Sequence, residues 1–172
     1  MAKTRKIEPV KLFIGIIYNP SVCLSEIEKI LTSKFGHIDL QSDDVSFDWT
    51  NYYFREMGDG LFKRFYSFEK LIDPLELADV KLFTNEIEAR YSKNGNRIFN
   101  LDPGYLDLPK VVLASAKDFS HRLYIGKGIF AEITLSFVNN KYTFLPWTYS
   151  DYKTEKYLNF FYKMRQIYFV EP

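Results

Sequence analysis

The chain has 172 residues, of which 47% are hydrophobic and 18% aromatic, and its formal net charge is +1. This length and apolar content suffice for one domain with a substantial core, and they exclude a largely disordered chain. The near-neutral charge excludes a strong general attraction to nucleic acid or to an anionic membrane. We expect residues 11–172 to form a single α+β domain. Residues 1–10 are predicted to form a flexible basic arm, which carries Lys3, Arg5 and Lys6.

The first apolar run, Leu12 to Tyr18, is short and ends at Asn19-Pro20, which favours a buried strand over a signal peptide. No run approaches the roughly 20 apolar residues that cross a bilayer, so we expect no membrane partner and a cytoplasmic location. Cys23 is the only cysteine, which excludes an internal disulfide and is typical of a reducing compartment. One cysteine and two histidines do not supply a common zinc site, and we predict no metal site, with a cation held by carboxylates as the open alternative.

A first helix is predicted directly after the first strand. Asn19 is a suitable N-cap, and Pro20 suits the first helical position. Apolar residues then recur at helical spacing from Leu24 to Phe35, and Gly36 marks the end of the helix.

A long hairpin is predicted next, because aromatic and β-branched residues fill both 45–57 and 61–71. Gly58-Asp59-Gly60 supplies the turn between the two strands. The sequence therefore predicts that residues 45–57 are extended.

A second helix is predicted from Asp73, an N-cap followed by Pro74, to the turn at Lys93-Asn94-Gly95. A fourth strand follows at 97–101. The order strand, helix, strand, strand, helix, strand is that of a ferredoxin-like split βαβ unit. We predict an α+β fold with a mainly antiparallel sheet, in which this N-terminal unit is extended by a C-terminal β-meander and a closing helix.

Residues 122–137 alternate between two sets of side chains, which predicts two strands of a hairpin. A three-residue loop at 126–128 sets Arg122 opposite Glu132 as a cross-strand charge pair. The residues predicted to face the core are Leu123, Ile125, Ile129, Ala131, Ile133, Leu135, Phe137, Tyr142 and Phe144.

Asn139-Asn140 predicts a second hairpin turn directly after the first hairpin. This turn brings Trp147 across from Glu132. Apolar residues at helical spacing after Thr154 predict the closing helix.

Five stretches of the chain resemble those of a known bacterial family: TNYYFREMG, KLFTNEIE, NLDPGYL, VLASAKDFSHRLYIGKGIFAE and WTYSDY. The family is DUF4416, a domain of unknown function. The resemblance spans nearly the whole chain. It implies no activity, cofactor or site residue.

The segment richest in chemistry is 117–122, which carries a carboxylate, an imidazole, a hydroxyl and two cations on a loop that enters the hairpin. We predict an anion site here, because arginine binds phosphate or carboxylate through two hydrogen bonds and lysines add positive charge. Asp118 and His121 are the candidate general-base pair. The predicted ligand-binding residues are Lys117, Arg122, Lys127, Glu132, Trp147, Asp102 and Asp151.

The same features also have purely structural interpretations. Arg122 and Glu132 suit a packed ladder as well as a pocket, and His121 suits a core position. Asp102-Pro103-Gly104 is typical of a type II turn. One face of the second helix is typical of a solvated stripe and carries Lys81, Asn85 and Glu88.

The leading functional hypothesis is the binding of a small anionic ligand, such as a nucleotide or a phosphorylated metabolite. No P-loop or dinucleotide-binding motif is present, and no signature fixes a reaction or a cofactor. An RNA-binding module is one alternative, since LFIGII and KRFYSF resemble the aromatic strands of an RNA-recognition motif, with Phe13 and Phe65 as stacking rings. Arg64 stands where that motif has glycine, and the low net charge disfavours RNA. A protein-interaction module without enzymatic activity is the other alternative.

Overall fold

One antiparallel sheet runs through the protein, and helices pack on both of its faces. A computed structural model describes residues 3–4 and 6–170, so Arg5 of the predicted basic arm lies outside the described part. The strands are β1 Val10–Tyr18, β2 Ile38–Gln41, β3 Val45–Ser46, β4 Phe62–Ile72, β5 Phe99–Asp107, β6 Lys110–Ser115, β7 Leu123–Gly126, β8 Ile129–Val138 and β9 Lys141–Phe144. The helices are α1 Leu24–Phe35, α2 Phe54–Met57, α3 Leu77–Tyr91 and α4 Glu155–Val170. Short 3-10 turns lie at Asn51–Tyr53, Pro74–Glu76 and Asp151–Lys153.

The strand order in the sheet is β2-β4-β1-β5-β6-β8-β7. β3 pairs with β4, and β9 pairs with β8. Each of these neighbouring pairs is antiparallel. The prediction of a mixed helix and strand fold with a mainly antiparallel sheet is therefore confirmed.

β1 is buried along its whole length, because both faces of the sheet are covered at this strand. Leu12 and Ile14 pack into the cluster that α1 and α3 complete on one face. Phe13 points to the other face and meets Phe161 of α4, with the ring centroids 5.1 Å apart. Each such side chain contributes about 1.5–3 kcal/mol through burial. The predicted first strand and the predicted closing helix are both confirmed.

α1 begins at Leu24 rather than at Pro20, so the predicted start was wrong. Asn19 shapes a turn instead: its Oδ1 accepts a hydrogen bond from the amide of Ser21 at 3.1 Å. The Nδ2 of Asn19 also donates to the carbonyl of Asp59 at 3.2 Å, which ties this turn to a distant loop. The predicted end is confirmed, since Gly36 caps the helix with φ of 92°.

Residues 45–57 do not form the predicted long strand. Only the two residues of β3 form a strand, and a helical segment follows from Asn51. The Oγ1 of Thr50 accepts a hydrogen bond from the amide of Tyr52 at 3.1 Å, which is the N-cap contact that starts a helical turn. β2, which the sequence pattern did not indicate, takes the place of the missing strand beside β4.

The second predicted helix is confirmed together with its cap. The Oδ1 of Asp73 accepts a hydrogen bond from the amide of Leu75 at 2.9 Å. Glu76 completes a capping box by accepting from the amide of Asp73. Pro74 opens the 3-10 turn that leads into α3.

The stretch Asp102-Pro103-Gly104 lies inside β5, so the predicted type II turn was wrong. Its residues pair with β1, as Gly15↔Asp102, Ile14↔Pro103 and Phe13↔Gly104. A Cβ on Gly104 would lie 2.3 Å from the carbonyl oxygen of Val112. This glycine therefore permits close packing between strands rather than a turn.

Both predicted C-terminal hairpins are confirmed, with one change in the first. Its turn holds two residues, Lys127 and Gly128, with φ of 57° and 75°, rather than the three predicted. A register shift at Ile125 compensates for the shorter turn, so Leu123 pairs with Ala131 as predicted. Arg122, the residue before Leu123, therefore faces Glu132. The second turn, Asn139-Asn140, joins Val138 to Lys141 as predicted.

The predicted core face of these hairpins was wrong at several positions. Ile129, Leu135 and Tyr142 are buried, but Leu123, Ile133 and Phe144 are 76%, 41% and 47% exposed. One reason is that β7 is an edge strand, which pairs only with β8 in the described sheet. A second reason is a register shift opposite Val111 and Val112, which inserts Thr134 as an extra residue and reverses the alternation.

The sheet opens between β5 and β6, and this opening positions the site. β5 pairs with β1 over residues 99–106 but with β6 only from Gly104 to Asp107. Beyond Leu113, β6 continues along β8 alone. The first half of β5 therefore has a strand on one side and a gap on the other, and α3 packs behind both strands.

Candidate functional site

A pocket of about 540 Å³ occupies the gap between β5 and β6. Its walls come from β1, β4, α3, β5, β6, β8, the segment before α2, the loop 115–122 and the turn 149–152. Five cations line it: Lys63, Lys81, Arg97, Lys117 and Arg122. Four carboxylates line it: Glu88, Asp102, Glu132 and Asp151. So many charges in one cavity distinguish this pocket from an ordinary packing defect.

Two side chains of α3 replace the strand that is missing from the open edge of β5. The Nζ of Lys81 donates to the carbonyl of Leu101 at 2.8 Å. The Oε1 of Glu88 accepts from the amide of Leu101 at 2.7 Å. Lys81 and Glu88 are 6% and 7% exposed, so the prediction of a solvated stripe was wrong. They satisfy backbone groups that would otherwise stay unpaired at a buried edge.

Arg122 and Glu132 form the predicted cross-strand pair, with Nε and Oε2 2.7 Å apart. The Nη1 of Arg122 donates to Ser115 Oγ at 2.8 Å and to the carbonyl of Lys117 at 2.9 Å. Its Nη2 donates to the hydroxyl of Tyr149 at 2.9 Å. The guanidinium thus joins β6, β8, the loop and the turn at Tyr149, and it fixes one wall of the pocket.

His121 contacts Glu132 rather than Asp118. Its Nε2 lies 3.0 Å from Oε2 of Glu132, and its ring stacks between Phe119 and Trp147, with centroid distances of 5.9 and 5.1 Å. Asp118 is exposed, and within the described residues no contact joins it to His121. The predicted general-base pair is therefore not formed, and the imidazole is not a core residue, since 21% of its side chain is exposed.

Lys63 and Asp151 form a second buried ion pair, with Nζ and Oδ2 2.6 Å apart. Four aromatic rings surround the ammonium group at 4.5–5.5 Å from their centroids: Phe47, Phe65, Tyr152 and Tyr157. Such rings stabilise a cation through their negative faces. The rings and the carboxylate together hold a charged lysine inside the pocket wall.

A third network runs from the mouth of the pocket to Asp102. Arg97 donates to both carboxylate oxygens of Glu56, at 2.6 and 3.2 Å, and this bond lowers the pKa of Glu56. Arg97 also donates to Asn100 Oδ1 at 2.7 Å. The amide nitrogen of Asn100 in turn donates to Asp102 Oδ2 at 2.7 Å. Asn100 therefore orients the carboxylate of Asp102.

Burial raises the pKa of Glu88 above the usual value of 4.5. The folded protein therefore holds this proton to a higher pH than the unfolded chain does. The contribution of Glu88 to the unfolding free energy is fully present below pH 4.5 and is lost as the pH rises through the folded-state pKa. We expect Glu88→Gln to gain stability relative to the native protein as the pH rises through this window.

Urea denaturation at a series of pH values measures this difference. Glu86→Gln is the matched control, because Glu86 lies two residues away on the exposed side of α3. A stability difference between Glu88→Gln and the native protein that is independent of pH would contradict the raised pKa.

Four exposed aromatic side chains stand around the mouth of the pocket. Trp49, Tyr52, Phe119 and Tyr149 are 48%, 53%, 51% and 48% exposed, and each of them lines the cavity. Lys117 donates to the hydroxyl of Tyr52 at 3.0 Å, which lowers the pKa of that phenol. The mouth thus combines flat apolar rings with an exposed cation.

The structure brings five of the seven predicted ligand-binding residues to one cavity. The residues that line it are Lys117, Arg122, Glu132, Asp102 and Asp151. The other two lie elsewhere: Lys127 pairs with Asp79 at 2.5 Å, and Trp147 packs behind His121. Whether the five bind a ligand stays a prediction.

Sequence patterns missed four charged residues and one polar residue of the pocket, which are Lys63, Lys81, Glu88, Arg97 and the uncharged Asn100. For Lys63 a signal was present. It shares a strand face with Phe65, and it lies in a strand whose apolar residues indicate burial on both sides. A charged residue on such a strand indicates a buried partner. For Lys81 and Glu88 the local pattern held no such signal.

The aromatic residues that suggested RNA binding are not available to bases. Phe13 and Phe65 are fully buried beneath α4, where Phe65 stacks on Phe160 with centroids 5.2 Å apart. An RNA-recognition sheet needs these rings on an open face. The RNA alternative therefore loses the stacking surface on which it rested.

The fold and the pocket together describe an α+β protein with one antiparallel sheet and a cavity lined by ion pairs. Comparison with protein-family models matched residues 8–168 to "Domain of unknown function (DUF4416)". The chain belongs to this family, as its sequence motifs indicated. Comparisons with curated proteins and with solved structures gave no match. No helix in the described part of the chain combines the length and the apolar character needed to cross a membrane.

Proposed function

We propose that the pocket binds a small molecule that carries both a planar ring and an anionic group, as nucleotides and some phosphorylated metabolites do. The observation that carries this proposal is the group of four exposed aromatic rings around the mouth of a charged cavity. Exposed rings gathered at a concave site are typical of ligand-binding surfaces. A flat ligand ring can stack on them in place of water.

The size of the pocket suits such a ligand. Pockets for small molecules usually enclose roughly 300–1,000 Å³, and this one encloses about 540 Å³. The walls also supply the few polar groups that a ligand site needs for orientation, such as Asp102 and Lys117. Volume and lining together support a ligand of about the size of a nucleoside monophosphate.

The charges of the pocket favour an anionic ligand. Five lining cations face four lining carboxylates, which leaves one positive charge in excess. Lys117 is the cation without a carboxylate partner among the described residues, and it stands exposed at the mouth. An anionic group placed there gains a charge-assisted hydrogen bond without removing an existing ion pair.

Tryptophan fluorescence tests the proposal directly, because the chain has two tryptophans and only Trp49 lines the pocket. In Trp147→Phe, all tryptophan emission comes from Trp49. We expect nucleoside monophosphates to change this emission in a saturable way, because stacking alters the surroundings of the indole.

The matched control is Trp49→Phe, in which the same titration should leave the emission of Trp147 unchanged. Thermal unfolding of the native protein gives an independent readout, since a ligand at 100 times its Kd adds about 2.7 kcal/mol to the unfolding free energy. If no nucleotide or phosphorylated metabolite shifts either signal, the proposed ligand class is wrong.

We also propose that the sheet before the gap is a ferredoxin-like split βαβ unit within a single domain of residues 11–172. The order β2-β4-β1-β5, with α1 after β1 and α3 after β4, supports this assignment. The continuation of the same sheet into β6 and β8 supports a single domain.

A further inference from the structure

We infer that the ligand binds with a hydroxyl donor against Asp102 at the inner end of the pocket and with its anionic group against Lys117 at the mouth. This inference rests on the proposed function and narrows it. It selects molecules whose two ends differ, with hydrogen-bond donors at one end and a phosphate or carboxylate at the other. A nucleoside monophosphate with free ribose hydroxyls belongs to this class.

Most other charges of the pocket are already matched within the protein. Lys63 pairs with Asp151 at 2.6 Å. Arg122 pairs with Glu132 at 2.7 Å, and its remaining bonds hold the wall of the pocket. These pairs are buried and hydrogen-bonded, so a ligand that displaced one partner would leave a buried charge uncompensated. They shape the cavity and are poor contacts for a ligand.

Asp102 is different, because one of its carboxylate oxygens can still accept a strong hydrogen bond. Its Oδ2 accepts from Asn100 at 2.7 Å. Its Oδ1 lies 3.6 Å from Lys81 Nζ, which is too long for a strong hydrogen bond, while Lys81 donates to the carbonyl of Leu101 at 2.8 Å. The side chain of Asp102 is 30% exposed and lines the pocket. An ionised carboxylate accepts only, so the group that fits it is a donor.

Tyr152 contributes a buried hydroxyl group to the wall of the pocket. Its side chain is 1% exposed and lines the cavity, and its hydroxyl has no hydrogen-bond partner among the described residues. Buried hydroxyl groups normally have a partner. Burial raises the pKa of Tyr152, and the negative charges of Asp151 and Asp102 raise it further.

Lys117 provides the opposite end. Its Nζ bonds to the hydroxyl of Tyr52 and lies 4.2 Å from the centre of that ring. Its backbone is held in place, since its amide donates to Ser115 and its carbonyl accepts from Arg122. The loop is therefore fixed while the ammonium group is exposed at the mouth. A phosphate there keeps much of its hydration, which lowers the cost of binding it.

Calorimetric titration separates the two ends, with adenosine monophosphate, adenosine, and 2′,3′-dideoxyadenosine monophosphate as probes. We expect Lys117→Gln to weaken binding of adenosine monophosphate about tenfold and to leave adenosine unchanged, because only the former has the anionic group. We expect Asp102→Asn to weaken adenosine monophosphate and adenosine about tenfold and to leave the dideoxy probe unchanged.

The controls are Lys127→Gln and Asp118→Asn, whose exposed side chains do not line the pocket. Neither control should change the affinity for any probe. Two results would show that the inferred orientation is wrong while the proposed function stands, provided that the native protein binds adenosine monophosphate. In the first, Lys117→Gln weakens the binding of adenosine as much as that of adenosine monophosphate. In the second, Asp102→Asn weakens the binding of no probe. If the native protein binds neither adenosine monophosphate nor adenosine, both are overturned for this ligand class.

Discussion

Lys63→Ala is expected to lower the free energy of unfolding by about 3–5 kcal/mol. Lys63 and Asp151 are 3% and 4% exposed, and their charged atoms lie 2.6 Å apart. Removal of the lysine leaves a carboxylate in a nearly water-free wall without its partner. It also empties the centre of the four aromatic rings that contact the ammonium group. Urea denaturation of the variant and the native protein measures the difference.

Two comparisons distinguish the loss of the ion pair from a general effect of losing a lysine. Lys156→Ala removes an exposed lysine of α4 and should change the unfolding free energy by less than about 0.5 kcal/mol. The double variant Lys63→Met, Asp151→Asn removes both charges and should be more stable than Lys63→Ala, because no uncompensated charge remains. A cost below about 1 kcal/mol for Lys63→Ala would contradict a buried, stabilised pair.

Local signals in the sequence predicted the elements whose ends are set by local chemistry. Asp73 and Pro74 start a helical segment because a carboxylate caps the first amides and proline needs no donor there. Asn139-Asn140 forms a hairpin turn because asparagine tolerates the positive φ that such turns require. At Asn19 the same reasoning failed. Its side chain is engaged by Ser21 and by the loop at Asp59, so the cap signal did not start a helix.

Which face of each strand is buried depends on segments that are distant in the sequence, so the local pattern did not predict it. Alternation in β8 predicts two faces, but the extra residue at Thr134 reverses them part of the way along the strand. Leu123 is exposed because β7 lies at the sheet edge, whereas Phe13 is buried because α4 returns from the end of the chain to cover it. Tertiary packing decides whether such a side chain is buried or exposed, and strand periodicity carries no information about that packing.

In the candidate site too, local features were predicted and features that depend on distant segments were not. Composition drew attention to the segment 117–122, and the cross-strand pair of Arg122 with Glu132 followed from hairpin register. Lys81 and Glu88 escaped prediction because their role depends on β6 leaving β5, which exposes the backbone of Leu101. A helical stripe of charges is identical in sequence whether it faces water or the unpaired edge of a strand.

Gly104→Ala is expected to lower the free energy of unfolding by about 3 kcal/mol, at the upper end of the cost of overpacking. Its Cβ would lie 2.3 Å from the carbonyl oxygen of Val112 and 2.5 Å from Cζ of Phe13. The first contact is with backbone, which cannot rotate away as a side chain can. Gly104 also lies where the pairing of β5 with β6 begins, so relief of the clash must move these strands apart. Urea denaturation measures the cost.

Gly15→Ala is the matched control, because that glycine also lies in a central strand and its nearest neighbour would be Phe65 Cε1 at 3.0 Å. We expect the control to cost about 1 kcal/mol or less, since a small shift of the ring relieves the contact. Adding Phe13→Leu to Gly104→Ala should recover only part of the loss, because the carbonyl of Val112 remains in the way. Full recovery would show that the ring of Phe13, rather than the spacing of β5 and β6, is the reason that position 104 requires glycine.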